Sequence, residues 1–255
     1  MPLRIALAGK GGSGKTTLAA LLIRSLMNQG VKPLLAVDAD PNSCLGDRLG
    51  LNVDRTVGQL REELRADPEK VPSGMAKSEW VERLINQEIA ESVGFDLIVM
   101  GRQEGPDCYC FINNLLRTCM GKLGDQYHAV VIDNEAGLEH LSRRTDGRVE
   151  VMLVVCEPNI IGARTAMRIT ELMRSLNLQI DDAYIVLNRC RGDVPADVQT
   201  LLDSTGLEVI GCVPDDPTVA ALELEQTSLL NIPAGAPAAV AVDALLQRLR
   251  ERGEA

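Results

Sequence analysis

Nine residues near the N-terminus, Gly9 to Thr17, read Gly-Lys-Gly-Gly-Ser-Gly-Lys-Thr-Thr and restrict what the chain can fold into more than any other stretch. They match the phosphate-binding pattern Gly-x-x-x-x-Gly-Lys-Ser/Thr through Gly9, Gly14, Lys15 and Thr16. An apolar run, Leu3 to Ala8, comes before the loop as a buried strand would, and Leu18, Leu21, Leu22, Leu26 and Met27 follow at helical spacing. Strand, glycine loop and helix in that order are what the motif requires, because the loop must aim several backbone N–H groups at one anion where a helix begins. Gly11, Gly12, Ser13 and Gly14 supply that cradle, the glycines letting the backbone close on phosphate with no Cβ in the way. Lys15 is expected to reach the β and γ oxygens of a nucleoside triphosphate, Thr16 to ligate Mg²⁺ and Thr17 to bond a phosphate nearer the ribose.

Such a loop needs a sheet behind it, and the composition agrees with one. At 255 residues the chain is long enough for one large domain with a sizeable core. Aromatic residues make up only 2%, so that core must be aliphatic, as suits a parallel sheet covered by helices. The formal charge of −10 argues against non-specific binding to nucleic acid through a basic face. No apolar run approaches membrane-spanning length, and the first strand begins too early to leave room for a secretory leader. The expectation is a cytoplasmic protein with neither a nucleic-acid nor a membrane partner. In that compartment its seven cysteines are buried thiols or metal ligands rather than disulfides.

Along the chain, Pro33 to Val37 reads as a second buried strand that ends in Asp38-Ala39-Asp40-Pro41-Asn42. Carboxylates at the end of a strand facing the glycine loop are where Mg²⁺ and an attacking water would sit. From 43 to 94 the pattern is looser, with polar helical segments at Thr56 to Ala66 and Glu79 to Ser92, and reads as a helical insertion anchored by Trp80. Phe95 to Met100 is the next strand, and it runs into a glycine-rich loop that delivers Cys108-Tyr109-Cys110 to the start of a helix. A helix N-terminus favours thiolate, the form that binds metal. Two thiolates are half of a four-sulfur site, which a twofold dimer would complete.

His128 to Asp133 is a strand carrying a further carboxylate, and Asn134 to His140 reads as a mobile loop that senses the γ-phosphate. Val149 to Cys156 is another core strand, with Cys156 a core thiol. Asn188 ends a later strand as a candidate for the adenine edge, and Pro214-Asp215-Asp216, after the last strand, closes over the base. Ala238 to Arg250 is an amphipathic helix whose small aliphatic residues suit packing on the sheet.

Lys10, directly after the first glycine, gives Lys-Gly-Gly-x-Gly-Lys-Thr, which resembles the deviant phosphate loop of the dimeric ATPases. That class includes the nitrogenase iron protein, septum-positioning and chromosome-partitioning ATPases and metal-insertion ATPases. Within it, Cys108-Tyr109-Cys110 together with Asp133-Asn134-Glu135-Ala136-Gly137-Leu138-Glu139-His140-Leu141 resembles the nickel-insertion accessory ATPases that mature carbon monoxide dehydrogenase or acetyl-CoA synthase. The resemblance implies an α/β fold, a three-layer P-loop sandwich with a mainly parallel sheet of seven or eight strands over residues 1–255. It also implies Mg²⁺-dependent hydrolysis of ATP to ADP and phosphate. Asp40 would orient the water, Asp38 and Asp133 would serve the Mg²⁺ shell, and Lys10 would reach the nucleotide of the other subunit.

The function it implies is a homodimeric metallochaperone, assembled by nucleotide or metal, holding Ni²⁺ or Zn²⁺ between Cys108 and Cys110 of both chains and serving the dehydrogenase or synthase as client. The nitrogenase iron protein takes a cluster thiolate from just after its second switch. This chain has no cysteine between Asp133 and Cys156, so that arrangement is closed to it. An iron–sulfur carrier with four shared thiolates and a regulatory or positioning ATPase are the alternatives.

Overall fold

The computed structural model of the chain describes residues 3–66, 72, 74–101, 121–135, 149–176 and 179–253. Eight strands form one sheet: β1 (Leu3–Gly9), β2 (Leu34–Ala39), β3 (Ala90–Glu91), β4 (Asp96–Val99), β5 (Ala129–Asn134), β6 (Val149–Cys156), β7 (Ile180–Cys190) and β8 (Glu208–Pro214). Their order across the sheet is β3-β4-β2-β5-β1-β6-β7-β8, and every pairing is parallel except β3 with β4. Strand β1 lies in the middle, with β2 to one side across β5 and β6 to the other. That is a topological switch point, and the crevice beyond the strand's carboxyl end is where an α/β sheet binds ligand.

The helices that the strands require follow in turn: α1 (Lys15–Asn28), α2 (Leu45–Leu49), α3 (Val57–Ala66), α4 (Lys77–Gln87), α5 (Ile160–Ser175), α6 (Ala196–Asp203), α7 (Pro217–Leu224) and α8 (Pro237–Gly253). Strand β1 shows how they make three layers. Ile5 and Leu7 point to one face, into a core shared with Leu18, Leu22 and Leu26 of α1 and Leu245 and Leu246 of α8. Ala6 and Ala8 point to the other, into a core shared with Leu60 of α3, Ile85 of α4, Ala163 of α5 and Leu202 of α6. The strand's period of two thus feeds both cores, which is why its sequence reads as an unbroken apolar run. Helix α1 packs on the sheet beside α8, which covers β8. Leu18, Leu21, Leu22, Ile23 and Leu26 are all nearly inaccessible, and burying each contributes about 1.5–3 kcal/mol. The element that presents the glycine loop is therefore among the most firmly held in the molecule.

The sequence-based expectation of a mainly parallel α/β sandwich with seven or eight strands is met. Some boundaries differ. The helix expected to run to Ser92 stops at Gln87, and Ala90 and Glu91 return as an edge strand antiparallel to β4. Gly94, at φ 103, makes the turn between them. Asp38 lies within β2 rather than after it, and Asn134, expected in a mobile loop, is the buried last residue of β5 with its amide Nδ2 donating to Leu7 O at 2.9 Å. Among the described residues no helix is long and apolar enough to cross a membrane.

Candidate active site

The glycine loop is held by its neighbours as well as by its own sequence. Gly12 and Gly14 have φ of 81° and 89°, the left-handed region that glycine enters without a Cβ penalty. Within the loop Ser13 N donates to Lys10 O at 3.1 Å. From the far strand β7, Asn188 Nδ2 donates to Ser13 O at 2.8 Å and Arg189 Nη1 donates to Gly12 O at 3.1 Å. Lys15 is only 6% exposed, with Nζ donating to Gly9 O and Lys10 O, both at 3.2 Å. Burial lowers its pKa, against the opposing charges of Asp133, Asp40 and Glu135. Lys10 itself is exposed, and no described carboxylate pairs with its ammonium.

The carboxylates converge on the same point. Strand register sets Asp133 of β5 beside Leu7 of β1 on one side and Asp38 of β2 on the other. Both acids are buried, Asp38 at 0% and Asp133 at 1% exposure. Burial pushes Asp133 up to about 7; the Thr16 hydroxyl and the Lys15 ammonium pull the other way, and the charges of Asp38 and Asp40 add to the rise. Asp38 is raised to about 6, again chiefly by burial, although it accepts from Leu45 N at 2.8 Å and from Asp40 N at 3.1 Å. Asp40 is half-buried and accepts from both Asn42 N and Asn42 Nδ2.

Asp133 Oδ1 is buried without a hydrogen-bond partner, and so is Ser13 Oγ. Orphaned buried oxygens of this kind mark a site built for something else. A hard cation satisfies two raised, adjacent carboxylates as no side chain nearby does, so Thr16, Asp38 and Asp133 fit Mg²⁺. The glycine loop and Lys15 fit the phosphates that would accompany it.

Beside the loop opens a cavity of about 340 Å³, lined among others by Gly14, Thr17, Asn188, Arg189, Pro214 and Glu223. Asn188 and Pro214, singled out from sequence for the base, thus meet at one cavity next to the phosphate loop. The Asn188 amide nitrogen, however, is spent on Ser13 O. Thr17 Oγ1, expected on a phosphate, donates here to Glu223 Oε1 at 3.0 Å, and Arg48 Nη1 lies 3.2 Å from the same oxygen. Arg189 and Glu223 were not foreseen. Arg189, at φ 57, links Gly12 O to Glu157 Oε1, and neither it nor Glu223 carries any local sequence signal. Asp216 had one, since Asp followed by Pro217 is a helix start. It caps α7 through Thr218 N and also accepts from Ala238 N at 2.9 Å. Cys108 and Cys110 lie outside the described residues, as does His140.

The profile of the CobQ/CobB/MinD/ParA nucleotide binding domain matches residues 5–229, from β1 through the cavity-lining α7. The chain belongs to this family. An uncharacterized ATP-binding protein of Methanocaldococcus jannaschii is 41% identical over 231 residues, covering 90% of this chain and 91% of the relative. The carbon monoxide dehydrogenase accessory protein CooC of Rhodospirillum rubrum is 30% identical, covering 87% of each. Among solved structures, the cell division ATPase MinD of Pyrococcus furiosus superposes with a TM-score of 0.71 over 99% of this chain and 100% of that one, at 22% identity. As a CobQ/CobB/MinD/ParA protein the chain is a P-loop ATPase, in agreement with the residues gathered around Lys15.

Proposed function

We propose that the chain is an ATP-driven metallochaperone, a homodimer that holds nickel between Cys108 and Cys110 of its two subunits and inserts it into carbon monoxide dehydrogenase or acetyl-CoA synthase. One conjunction carries this reading. The Cys-x-Cys pair occurs in a chain 30% identical to the accessory protein CooC, and the segment bearing it leaves the sheet where Met100 N donates to Asp38 O at 2.8 Å. The thiols are thus tethered through a few residues to a strand whose carboxylate belongs to the nucleotide site.

The chain's residues divide the work as follows. Backbone N–H groups of Gly11 to Thr16 cradle the β-phosphate, and Lys15 leaves Gly9 O and Lys10 O for the β and γ oxygens. Thr16, Asp38 and Asp133 would hold Mg²⁺, which when bound neutralises charge across those oxygens. Asp40 orients the water for attack. Lys10 of the partner subunit adds its charge to the γ-phosphate and so makes hydrolysis wait for the dimer. Closure assembles the four thiolates, and loss of the γ-phosphate frees the segment after Asp38, loosening them for transfer of nickel to the client.

Metal analysis of purified dimer decides the matter. Wild-type protein is expected to bind Ni²⁺ stoichiometrically, and Cys108→Ala/Cys110→Ala to lose that binding while keeping its affinity for nucleotide. Undiminished Ni²⁺ binding by the double variant removes the metallochaperone reading. A brown chromophore in anaerobic preparations points instead to a cluster carrier, and an ATPase indifferent to nickel but stimulated by vesicles or DNA to a positioning ATPase.

A further inference from the structure

Away from the nucleotide, sulfur collects on one face of the sheet. Register aligns Cys156 of β6 with Leu187 of β7, and Leu187 with Cys212 of β8, so the two cysteines flank that leucine on the side covered by α5 and α6. Cys190, the last residue of β7, follows a register shift between Asn188 and Cys190 and packs against the same core. Its thiol is pushed up to about 12, by burial first and then by the Cys212 thiol beside it. Cys156 is 2% exposed and out of reach of solutes, whereas Cys212 is exposed and Cys190 half-buried. One thiol is accessible and its neighbour is sheltered, as in a pair where the first is attacked and the second resolves.

Neither cysteine is among the residues that line the cavity, but each lies next in sequence to residues that do. Cys190 follows Asn188 and Arg189, the two residues that hold Ser13 O and Gly12 O. Cys212 precedes Val213 and Pro214, which line the cavity wall. Arg189 is in the left-handed region, so the backbone joining Cys190 to the loop contacts is already in a conformation that non-glycine residues seldom hold.

We infer that Cys190 and Cys212 form a dithiol–disulfide site, oxidised by low-molecular-weight disulfides, whose closure lowers affinity for nucleotide. The Cys212 thiolate attacks one sulfur of the small disulfide, forming a mixed disulfide and expelling one thiolate. Cys190, losing its proton to solvent, attacks the Cys212 sulfur and expels the second. Two protein thiols are oxidised and one small disulfide is reduced to two thiols, so electrons and atoms balance. Drawing Cys190 across to β8 turns Arg189 and withdraws its guanidinium from Gly12 O.

The inference needs the nucleotide site and is independent of the nickel reading. It is therefore tested in full-length Cys108→Ala/Cys110→Ala protein, where the proposed metal thiols cannot contribute. After incubation with glutathione disulfide, mass spectrometry of unreduced digests is expected to find peptides joined through Cys190 and Cys212. Titration with a fluorescent ADP analogue is expected to show affinity weakened by about threefold to tenfold, the effect of one hydrogen bond, and restored by dithiothreitol. Adding Cys212→Ser should abolish both changes. Adding Cys190→Ser should leave only a glutathione adduct on Cys212, with affinity retained. A glutathione adduct on Cys212 without the link in protein that keeps both cysteines overturns the inference, and so does a link that leaves affinity unaltered.

Discussion

Two glycines in the phosphate loop separate backbone need from mere smallness. Gly14 has φ 89, and a Cβ there would run into the Asn188 amide, whereas a Cβ on Gly11 meets nothing within 4 Å. Gly14→Ala is expected to destabilise the fold, its left-handed backbone alone costing about 1–2 kcal/mol, and to abolish nucleotide binding because the Asn188 brace must move. Gly11→Ala should unfold at the wild-type denaturant midpoint; equal midpoints for the two variants would refute the distinction. The buried acids give a pH signature. In the unfolded chain each carboxyl has its ordinary value of 3.8, while folding raises Asp38 to about 6 and Asp133 to about 7. The folded state therefore binds more protons than the unfolded one above 3.8, and the contribution of these groups to stability is lost as pH rises through the two folded values. Urea unfolding of nucleotide-free protein between about pH 5.5 and 8 should show stability falling with pH. Asp133→Asn should flatten that fall and exceed wild type at the alkaline end, while losing Mg²⁺-dependent hydrolysis. Curves that run parallel would mean that Asp133 is not the group responsible. Lys15, Thr16 and Asp133 were legible as candidates because phosphate chemistry demands those residue types at fixed places along a strand and loop. Glu223 was not, since its contact with Thr17 spans 206 residues and no local pattern encodes it.

At the scale of elements, β7 is a brace for the phosphate loop as much as a strand of the sheet. Its end sends Asn188 to Ser13 O and Arg189 to Gly12 O, fixing the loop from the side opposite the carboxylates. Asn188→Ala is expected to lose about 1 kcal/mol of stability, the net worth of one buried hydrogen bond, and to weaken ADP binding about fivefold to tenfold by the same reckoning. Calorimetric titration checks it, and an unaltered dissociation constant would leave the brace without a role in binding. Sequence pattern located β1, β2, β5 and β6 well because strands buried on both faces are continuous apolar runs. It failed at β3, two residues of ordinary composition whose strand character comes only from pairing with β4. It also set the end of β2 short, reading Asp38 as a strand terminator when it is a strand residue whose carboxylate caps the following turn through Leu45 N. Polar residues inside strands at a functional site defeat hydropathy for a physical reason: ligand, not core, is what they are placed to meet.

For the whole molecule, the residue that tests assembly is Lys10. Lys10 is exposed at the mouth of the loop and pairs with no described carboxylate, while its backbone carbonyl accepts from Lys15 Nζ and Ser13 N. Its main chain thus belongs to this subunit's loop, and its side chain is available to another. If that side chain acts across a twofold axis, Lys10→Ala should retain affinity for ADP, since Lys15 and the loop amides are intact. It should lose ATP-dependent dimerisation and nearly all hydrolysis, by the roughly 10³-fold or more that a charge supplied in trans contributes to phosphoryl transfer. Mixing tests the direction of action. Lys15→Ala subunits, with a damaged nucleotide site but an intact Lys10, should restore turnover to Lys10→Ala subunits, because each hybrid dimer contains one undamaged nucleotide site facing an intact Lys10. A lysine acting only within its own subunit gives the opposite result, since neither subunit of the hybrid then has both groups and the mixture stays inactive.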